Sequence, residues 1–398
     1  MSKYKYIPLG DNVEEMFIGP FGSSLKNECF VDEDEAYCMV YEQKHAIQKT
    51  MDVDTRYVNE QKYNELKRFN VHGGDIIVSC RGTIGETFIV PDDAPIGIMH
   101  PSIMKIRLKE GVYDKYYFNL LLKSRLKKHE AEANGSGIKM AISATELGKE
   151  LFPVPTMEEQ LEITDIISRI SSVIEKRKQE LSTLDNLIKA RFVELFGDSI
   201  INPMGWKKCK FGEVIYYQEG PGVRNWQFRD SGIKLINIRN VVNDSLELSN
   251  TNNYLDVEEV ENKYKHFLLD AGDYVMASSG VTWGKIAEVF QEHLPLCLNT
   301  SMIRIRPLDN CIINKKYIFH FIKSDGFRKQ IERLITGSAQ PNFGPSHLAK
   351  VDILVPDIEV QNQFAVFVEQ VDKSKVAIQK ALNQAQTLFD SLMQDYFG

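Results

Sequence analysis

Residues 154–197 read VPTMEEQLEITDIISRISSVIEKRKQELSTLDNLIKARFVELFG, and residues 355–398 read VPDIEVQNQFAVFVEQVDKSKVAIQKALNQAQTLFDSLMQDYFG. The two stretches align without a gap at a shift of 201 residues. Val154-Pro155 meets Val355-Pro356, Gln160 meets Gln361, Leu181 meets Leu382, and Phe196-Gly197 meets Phe397-Gly398. In the first stretch apolar residues fall at Ile167, Ile170, Ile174, Leu181, Leu184, Ile188 and Leu195, with Arg177 and Arg191 in two slots. In the second they fall at Val368, Val371, Ile378, Leu382, Ala385, Phe389, Leu392 and Tyr396, with Lys375 as the charged break. Spacings that alternate between three and four follow the heptad rule of a coiled coil. Thr156 followed by Glu159 is a capping box, Asp357 is an adequate cap, and a glycine after each phenylalanine is a left-handed stop. Each stretch therefore predicts one long helix, a rod of roughly 60 Å.

Two rods in one register within one chain predict pairing with each other. Ile167, Ile174, Leu181, Leu184 and Ile188 would meet Val368, Val371, Ile378, Leu382 and Phe389. A parallel pair would crowd both preceding globular segments at one end, so the pair is expected to be antiparallel, with a pseudo-two-fold axis.

Working outward, the repeat continues upstream in looser form. Gly19-Pro20 returns as Gly220-Pro221, Gly74-Asp75 as Gly272-Asp273, and Ser102 as Ser301. Ile106-Arg107 returns as Ile305-Arg306, and Gly135-Ser136 as Gly337-Ser338. Short β-branched or apolar runs at 75–78, 87–90 and 103–107 have counterparts at 274–276, 286–289 and 302–305, each followed by a helical pattern (116–129 and 316–335). The organisation predicted is α+β: a mixed α/β domain at 1–155, a long helix at 156–198, a second such domain at 199–356, and a long helix at 357–398. A chain doubled in this way suits a protein that engages two similar sites at once.

Net charge taken by segment is close to even: −3 for 1–150, −3 for 151–198, +2 for 199–352 and −3 for 353–398. That excludes a basic coat protein whose affinity rests on bulk phosphate neutralisation. The six cysteines are scattered, with no Cys-x-x-Cys pair, which reads as a reduced chain without a zinc site. No run approaches a membrane span and the first residues have no apolar leader core, so a cytoplasmic location is expected. Metal-ligand spacings, a nucleophile elbow and a phosphate-cradling lysine loop are all missing from the sequence. Phe17-Ile-Gly19-Pro-Phe-Gly22 has a glycine-rich look, but the repeat keeps only its Gly-Pro, so it reads as a tight turn rather than a cofactor loop.

What remains is a set of loop side chains of the kinds that read base edges: arginine for guanine, Asn and Gln for adenine, and aromatics for apolar contact. In the second half Arg224, Asn225, Gln227 and Arg229 cluster after the Gly220 turn, and Ser279, Thr282, Trp283 and Lys285 occupy one glycine-rich loop. Ser338, Gln340 and Asn342 occupy another. The first half offers Ser23 and Lys26 after its Gly19 turn, Arg81 and Thr83 in the matching glycine-rich loop, and Ser136 and Lys139 in the other. For any one of them an ordinary solvated turn is the competing reading; the matched loops are what favour recognition.

These repeats resemble the specificity subunits of type I restriction-modification enzymes over essentially the whole chain. The features that carry the likeness are the Val-Pro closures, the helix starts at Glu158–Leu161 and Glu359–Asn362, the Phe-Gly ends, and Gly73-Gly74-Asp75-Ile76 with Gly82-Thr83-Ile84-Gly85. The second half departs with Val281-Thr-Trp-Gly284. The resemblance implies two target recognition domains, each reading half of a split site in double-stranded DNA, with the paired helices as a ruler. It implies docking of two modification subunits that carry S-adenosylmethionine and the base-flipping pocket, with restriction motor-nuclease subunits as an optional addition. On this reading the chain has no catalysis and binds no cofactor of its own. The competing classes are a DNA-modifying enzyme with its own cofactor site, and a coiled-coil scaffold unconnected with DNA.

Overall fold

The computed structural model describes residues 4–81, 83–136, 143–335 and 342–398, with residues 130–136 described in backbone only. The chain forms two compact units, Met1–Lys176 with Ala381–Gly398, and Arg177–Lys380. The division falls within both long helices, so each unit is built from one globular segment and one part of each helix.

In the first unit, strands Val13–Ile18, Ile103–Leu108, Ile76–Ser79 and Thr87–Ile89 form an antiparallel sheet in that order. A second sheet runs Tyr57–Val58, Cys38–Tyr41, Gly97–Met99, Asn70–Val71, with its central pair parallel. A ribbon of Lys5–Pro8 against Leu151–Val154 closes the segment, and helix Lys115–Ser136 packs over the first sheet. The second unit repeats this order. Its antiparallel sheet is Ile215–Glu219, Met302–Pro307, Tyr274–Ala277, Ile286–Glu288. Its smaller sheet is Tyr254–Leu255, Ile233–Ile236, Leu296–Leu298, again with one parallel pair, and its ribbon is Lys207–Lys210 with Asp352–Val355. One sequence expectation changes: the pattern at 316–335 is two helices, Lys315–Ile322 and Asp325–Leu334. The chain breaks at Ser324, whose hydroxyl caps the second helix by accepting from Phe327 N at 3.3 Å.

The short repeated motifs have physical reasons. Gly19 and Gly220 lie so close to the neighbouring strand that an added Cβ would come within 2.3 Å of His100 O and Asn299 O respectively. The Gly-Asp and Ile-Arg pairs are ion pairs inside each sheet. Arg107 donates to both oxygens of Asp75 at 2.7 Å, and Arg306 reaches the two oxygens of Asp273 at 2.7 and 2.8 Å. Two residues earlier on the same strand face, a buried cation reaches a backbone carbonyl outside its own sheet. Lys105 Nζ donates to Asn70 O at 2.6 Å, and Arg304 donates to His266 O at 2.7 Å.

The long helices run Met157–Phe196 and Ile358–Phe397. Thr156 and Glu159 make the reciprocal cap: Glu159 N donates to Thr156 Oγ1 at 3.3 Å, and Thr156 N to Glu159 Oε2 at 3.0 Å. Gly197 ends the first helix at φ +71°. In each unit the early part of one helix meets the late part of the other, so the pairing is antiparallel. In the first unit Ile163 and Ile167 share a core with Phe389, Leu392, Tyr396 and Phe397. In the second, Ile188, Phe192 and Phe196 share one with Phe364, Val368 and Val371. Ile174 is buried as well, while Leu181, Leu184, Ile378, Leu382 and Phe389 are half-buried along the same stripe. Lys375, the break in the heptads, is paired with Asp185 of the facing helix at 2.6 Å. Among the described residues no helix is long and apolar enough to cross a membrane, and no three His, Cys, Asp or Glu side chains gather to hold a metal.

The matched glutamines dock each helix onto its own globular segment. Gln160 donates to Val112 O and Pro155 O at 2.9 and 3.0 Å and accepts from Asp114 N at 2.8 Å. Gln361 donates to Ile312 O and Pro356 O at 3.1 and 2.7 Å and accepts from Asn314 N at 2.8 Å. Both side chains are fully buried. Gln160→Leu should lower stability by about 1–3 kcal/mol for each backbone group left without a partner or water, as measured by denaturant melts. A loss below about 0.5 kcal/mol would show that the clamp is dispensable.

His320 packs among Phe192, Phe319 and Phe364, where the repeat places Leu120 in the first unit. Burial, aided by Lys323, Lys316 and Lys375, pushes its imidazole down from 6.5 to about 3. The fold accommodates the neutral ring, so this contribution is whole above 6.5 and is lost as pH falls from there towards 3. His320→Leu should therefore flatten the fall in Tm between pH 7 and pH 5; an unchanged Tm profile would remove His320 as the cause.

Candidate nucleic-acid interface

Pairing within the two sheets gathers several strand ends and their loops at one edge of each globular segment. In the first unit, Gly19 N donates to Ile103 O, Cys80 N to Ser102 O, His100 N to Tyr41 O and Gly85 N to Ser79 O, all at 2.8–2.9 Å. These bonds bring together the turn after Val13–Ile18, the loop between Ile76–Ser79 and Thr87–Ile89, and the 100–102 turn. In the second unit Gly220 N donates to Met302 O, Ser278 N to Ser301 O, Asn299 N to Ile236 O and Gly284 N to Ala277 O, at 2.8–3.0 Å. Phe343 N joins them by donating to Ser278 O at 3.0 Å, next to the bridge between Ser279 and Asn342. Backbone bonds thus hold rigid bases from which loop tips project, the arrangement that places recognition side chains reproducibly.

In the first unit this edge exposes Ser23, Lys26, Arg81 and Thr83, with Lys26 3.8 Å from Glu28. Lys139 lies outside the described residues, as do Ser338 and Gln340 of the second unit; Ser136 is placed only by its backbone, at the end of its helix. In the second unit Arg224, Asn225, Arg229, Lys285 and Asn342 are exposed, and Ser279 and Thr282 are half-buried. Arg229 is partly spent on its own loop, donating to Trp226 O and Phe228 O at 3.1 and 3.0 Å.

Two sequence candidates are packed against neighbours within their own unit. Gln227 is buried: its amide donates to Glu259 Oε1 at 2.8 Å and Tyr264 OH at 3.0 Å, and accepts from Arg224 N at 2.9 Å. A polar residue between two aromatics looks like a loop tip in sequence, but the short 3-10 turn at Asn225–Gln227 rotates it inward. Trp283 is half-buried, edge-on to Phe343 at 5.7 Å with the Arg328 guanidinium 5.6 Å from its ring. The residue projecting from that loop is Val281, 95% exposed at a tip flanked by Gly280 and Gly284, both at positive φ. Phe21 and Trp226 are likewise 87% and 74% exposed. Sequence reading passed over Phe21 and Val281 because apolar residues read as core by default. Their glycine neighbours were the available signal.

The chain matches the family model for the type I restriction modification DNA specificity domain at residues 23–185 and again at 203–386. It is 25% identical over 350 residues to the type I restriction enzyme MjaVIII specificity subunit of Methanocaldococcus jannaschii, covering 81% of this chain and 79% of that protein. It is 21% identical over 351 residues to the EcoBI specificity subunit of Escherichia coli, covering 81% and 72%. The fold is similar to the type I restriction-modification S subunit from M. genitalium, with TM-score 0.55, 15% identity and coverage of 100% and 96%. It is also similar to a chain from a structure describing complex assembly and conformational transition of the type I R-M system, with TM-score 0.60, 14% identity and coverage of 99% and 97%.

Arg224→Ala should weaken or relax selection at one half of a DNA target by about 1–3 kcal/mol, the value of a bidentate base contact. Gln227→Ala should instead lower the melting temperature and weaken selection only through misfolding of the same loop. Equal loss on every DNA sequence in a binding assay would make Arg224 a phosphate contact.

Proposed function

The chain belongs to the type I restriction-modification DNA specificity family, and from that premise we propose that each unit reads one half of a split target through the loop edge described above. It is a DNA-recognition subunit rather than a catalytic one. The observation that carries the reading is the duplication at three levels: the same sheets, the same backbone-anchored loop edge, and the same glutamine-docked helix occur once in each half. Duplicate frames with different side chains at the tips (Arg81 and Thr83 in one, Arg224, Asn225 and Lys285 in the other) suit two half-sites of different sequence.

The partners are double-stranded DNA and two modification subunits, with restriction motor-nuclease subunits as a further component. What supports two equivalent docking points is the outer face of the paired helices. Leu187 and Leu388 occupy the same repeat position and are 47% and 51% exposed, so one apolar anchor is presented twice. S-adenosylmethionine and the pocket that receives the target base belong, on this reading, to the modification subunits. A near-neutral chain then needs only local loop contacts, because its partners supply much of the phosphate grip.

Methylation-sensitive sequencing of a host expressing this chain with its modification subunit, against the modification subunit alone, tests the proposal. The outcome foreseen is a new split motif with methyl-adenine in both halves. A stable complex that adds no sequence-dependent methylation would overturn it in favour of a scaffold.

A further inference from the structure

The first unit carries a group of lysines that the sequence reading did not select. Helix Lys115–Ser136 runs alongside the loop that holds Arg81 and Thr83. Thr87 Oγ1 donates to Asn119 Oδ1 at 2.6 Å, and a Cβ on Gly85 would lie 3.6 Å from Leu126 Cβ. Positions 119, 123 and 126 share one helical face, so Lys123 stands between these two contacts, abreast of Glu86, with Lys127 one turn further on. From the other side comes Lys49, which ends helix Gln43–Gln48 in the left-handed conformation (φ +56°) and reaches Glu86 at 3.2 Å.

Glu86 is thus paired with Lys49 and neighboured by Lys123, while Lys127 stands exposed beside Lys123 on the same helix. Lys123 is half-buried, and burial together with Lys49 and Lys127 holds its amine below the ordinary lysine value despite Glu86. Crowded, partly desolvated cations at the rim of a base-reading loop are relieved by an anion, and the anion adjoining every base pair is the phosphodiester.

The second unit has the same helix but not the same cluster. At a shift of 200, Lys115, Tyr117, Lys123 and Ser124 return as Lys315, Tyr317, Lys323 and Ser324. There the helix stops at Ile322, and Lys323 is ion-paired with Asp244 at the turn between Val241–Val242 and Ser245–Leu246. Its ammonium also lies 5.2 Å from the Phe319 ring. A carboxylate and an aromatic face already satisfy this lysine.

We propose that Lys49, Lys123 and Lys127 form a phosphodiester-binding cluster beside the reading loop of the first unit, with no equivalent at Lys323 in the second. The proposal rests on the DNA-specificity reading. It adds that the two half-sites are gripped differently, the first with more salt-sensitive affinity.

The test uses the complex of this chain with its modification subunits and measures duplex binding over a range of salt. Each phosphate contact contributes about 0.9 to the slope of log K against log salt, so Lys123→Gln with Lys127→Gln should lower that slope by about 2. Binding at low salt should weaken roughly tenfold on every duplex, with the methylated motif unchanged. Lys123→Arg with Lys127→Arg should keep the wild-type slope, which separates charge from folding, and Lys323→Gln should leave it unaltered. An undiminished slope in the double Gln variant overturns the proposal, and so does a loss confined to one sequence of the first half-site. A wild-type complex without sequence-selective binding would sink the specificity reading and this proposal together, and that result is distinct from a selective complex whose slope ignores the lysines.

Discussion

Everything functional in this chain depends on fastening a long helix rigidly to a globular frame, and a buried glutamine does that in each half. Gln160 and Gln361 use the whole of their amide groups on backbone atoms: one donor and one acceptor on the loop before the following helix, and one donor to the carbonyl of the proline that precedes the rod. Full burial makes these bonds strong, and leaving any of them unmade would be costly. A hydrophobic contact at the same place would hold the helix but not fix its direction. The directional bonds set the angle at which the rod leaves the domain.

A second constraint is the economy of charge. The repeated carboxylates and arginines are consumed within the sheets, where Asp75 meets Arg107 and Asp273 meets Arg306. Lys105 is buried as a tie between sheets through Asn70, and Arg304 is buried against the backbone of His266. Such cations are unavailable to a nucleic acid, so basic residues counted along the sequence overstate the available positive surface. Exposed basic residues remain at the loop edges, among them Arg81, Arg224 and Lys285.

The candidate site was legible in part. Matching loops could be located because the repeat brackets them, and Arg81, Arg224 and Lys285 stand exposed where the sequence places them. Gln227 was expected at a loop tip and is buried instead, because side-chain type does not reveal which way a short turn rotates. Gln227 found Glu259 and Tyr264, residues more than thirty positions away. Val281 and Phe21 went unselected because apolar side chains read as core by default, and the Lys49–Lys123–Lys127 group because it gathers residues remote in sequence.

Sequence alone settled the duplication, the extents of both long helices, the capping box and glycine stop of the first, and the apolar stripe along which they pair. These follow from local rules: helix periodicity, the capping box, and glycine's freedom at positive φ. Antiparallel pairing followed from a packing argument applied to the same pattern. Only the tertiary structure decided that one equivalent lysine is neutralised by Asp244 while the other faces fellow lysines. It also decided which loop residues turn outward. The physical reason is common to both. Each depends on partners brought together by strand pairing and loop closure between distant residues, and no local propensity encodes the identity of such a partner.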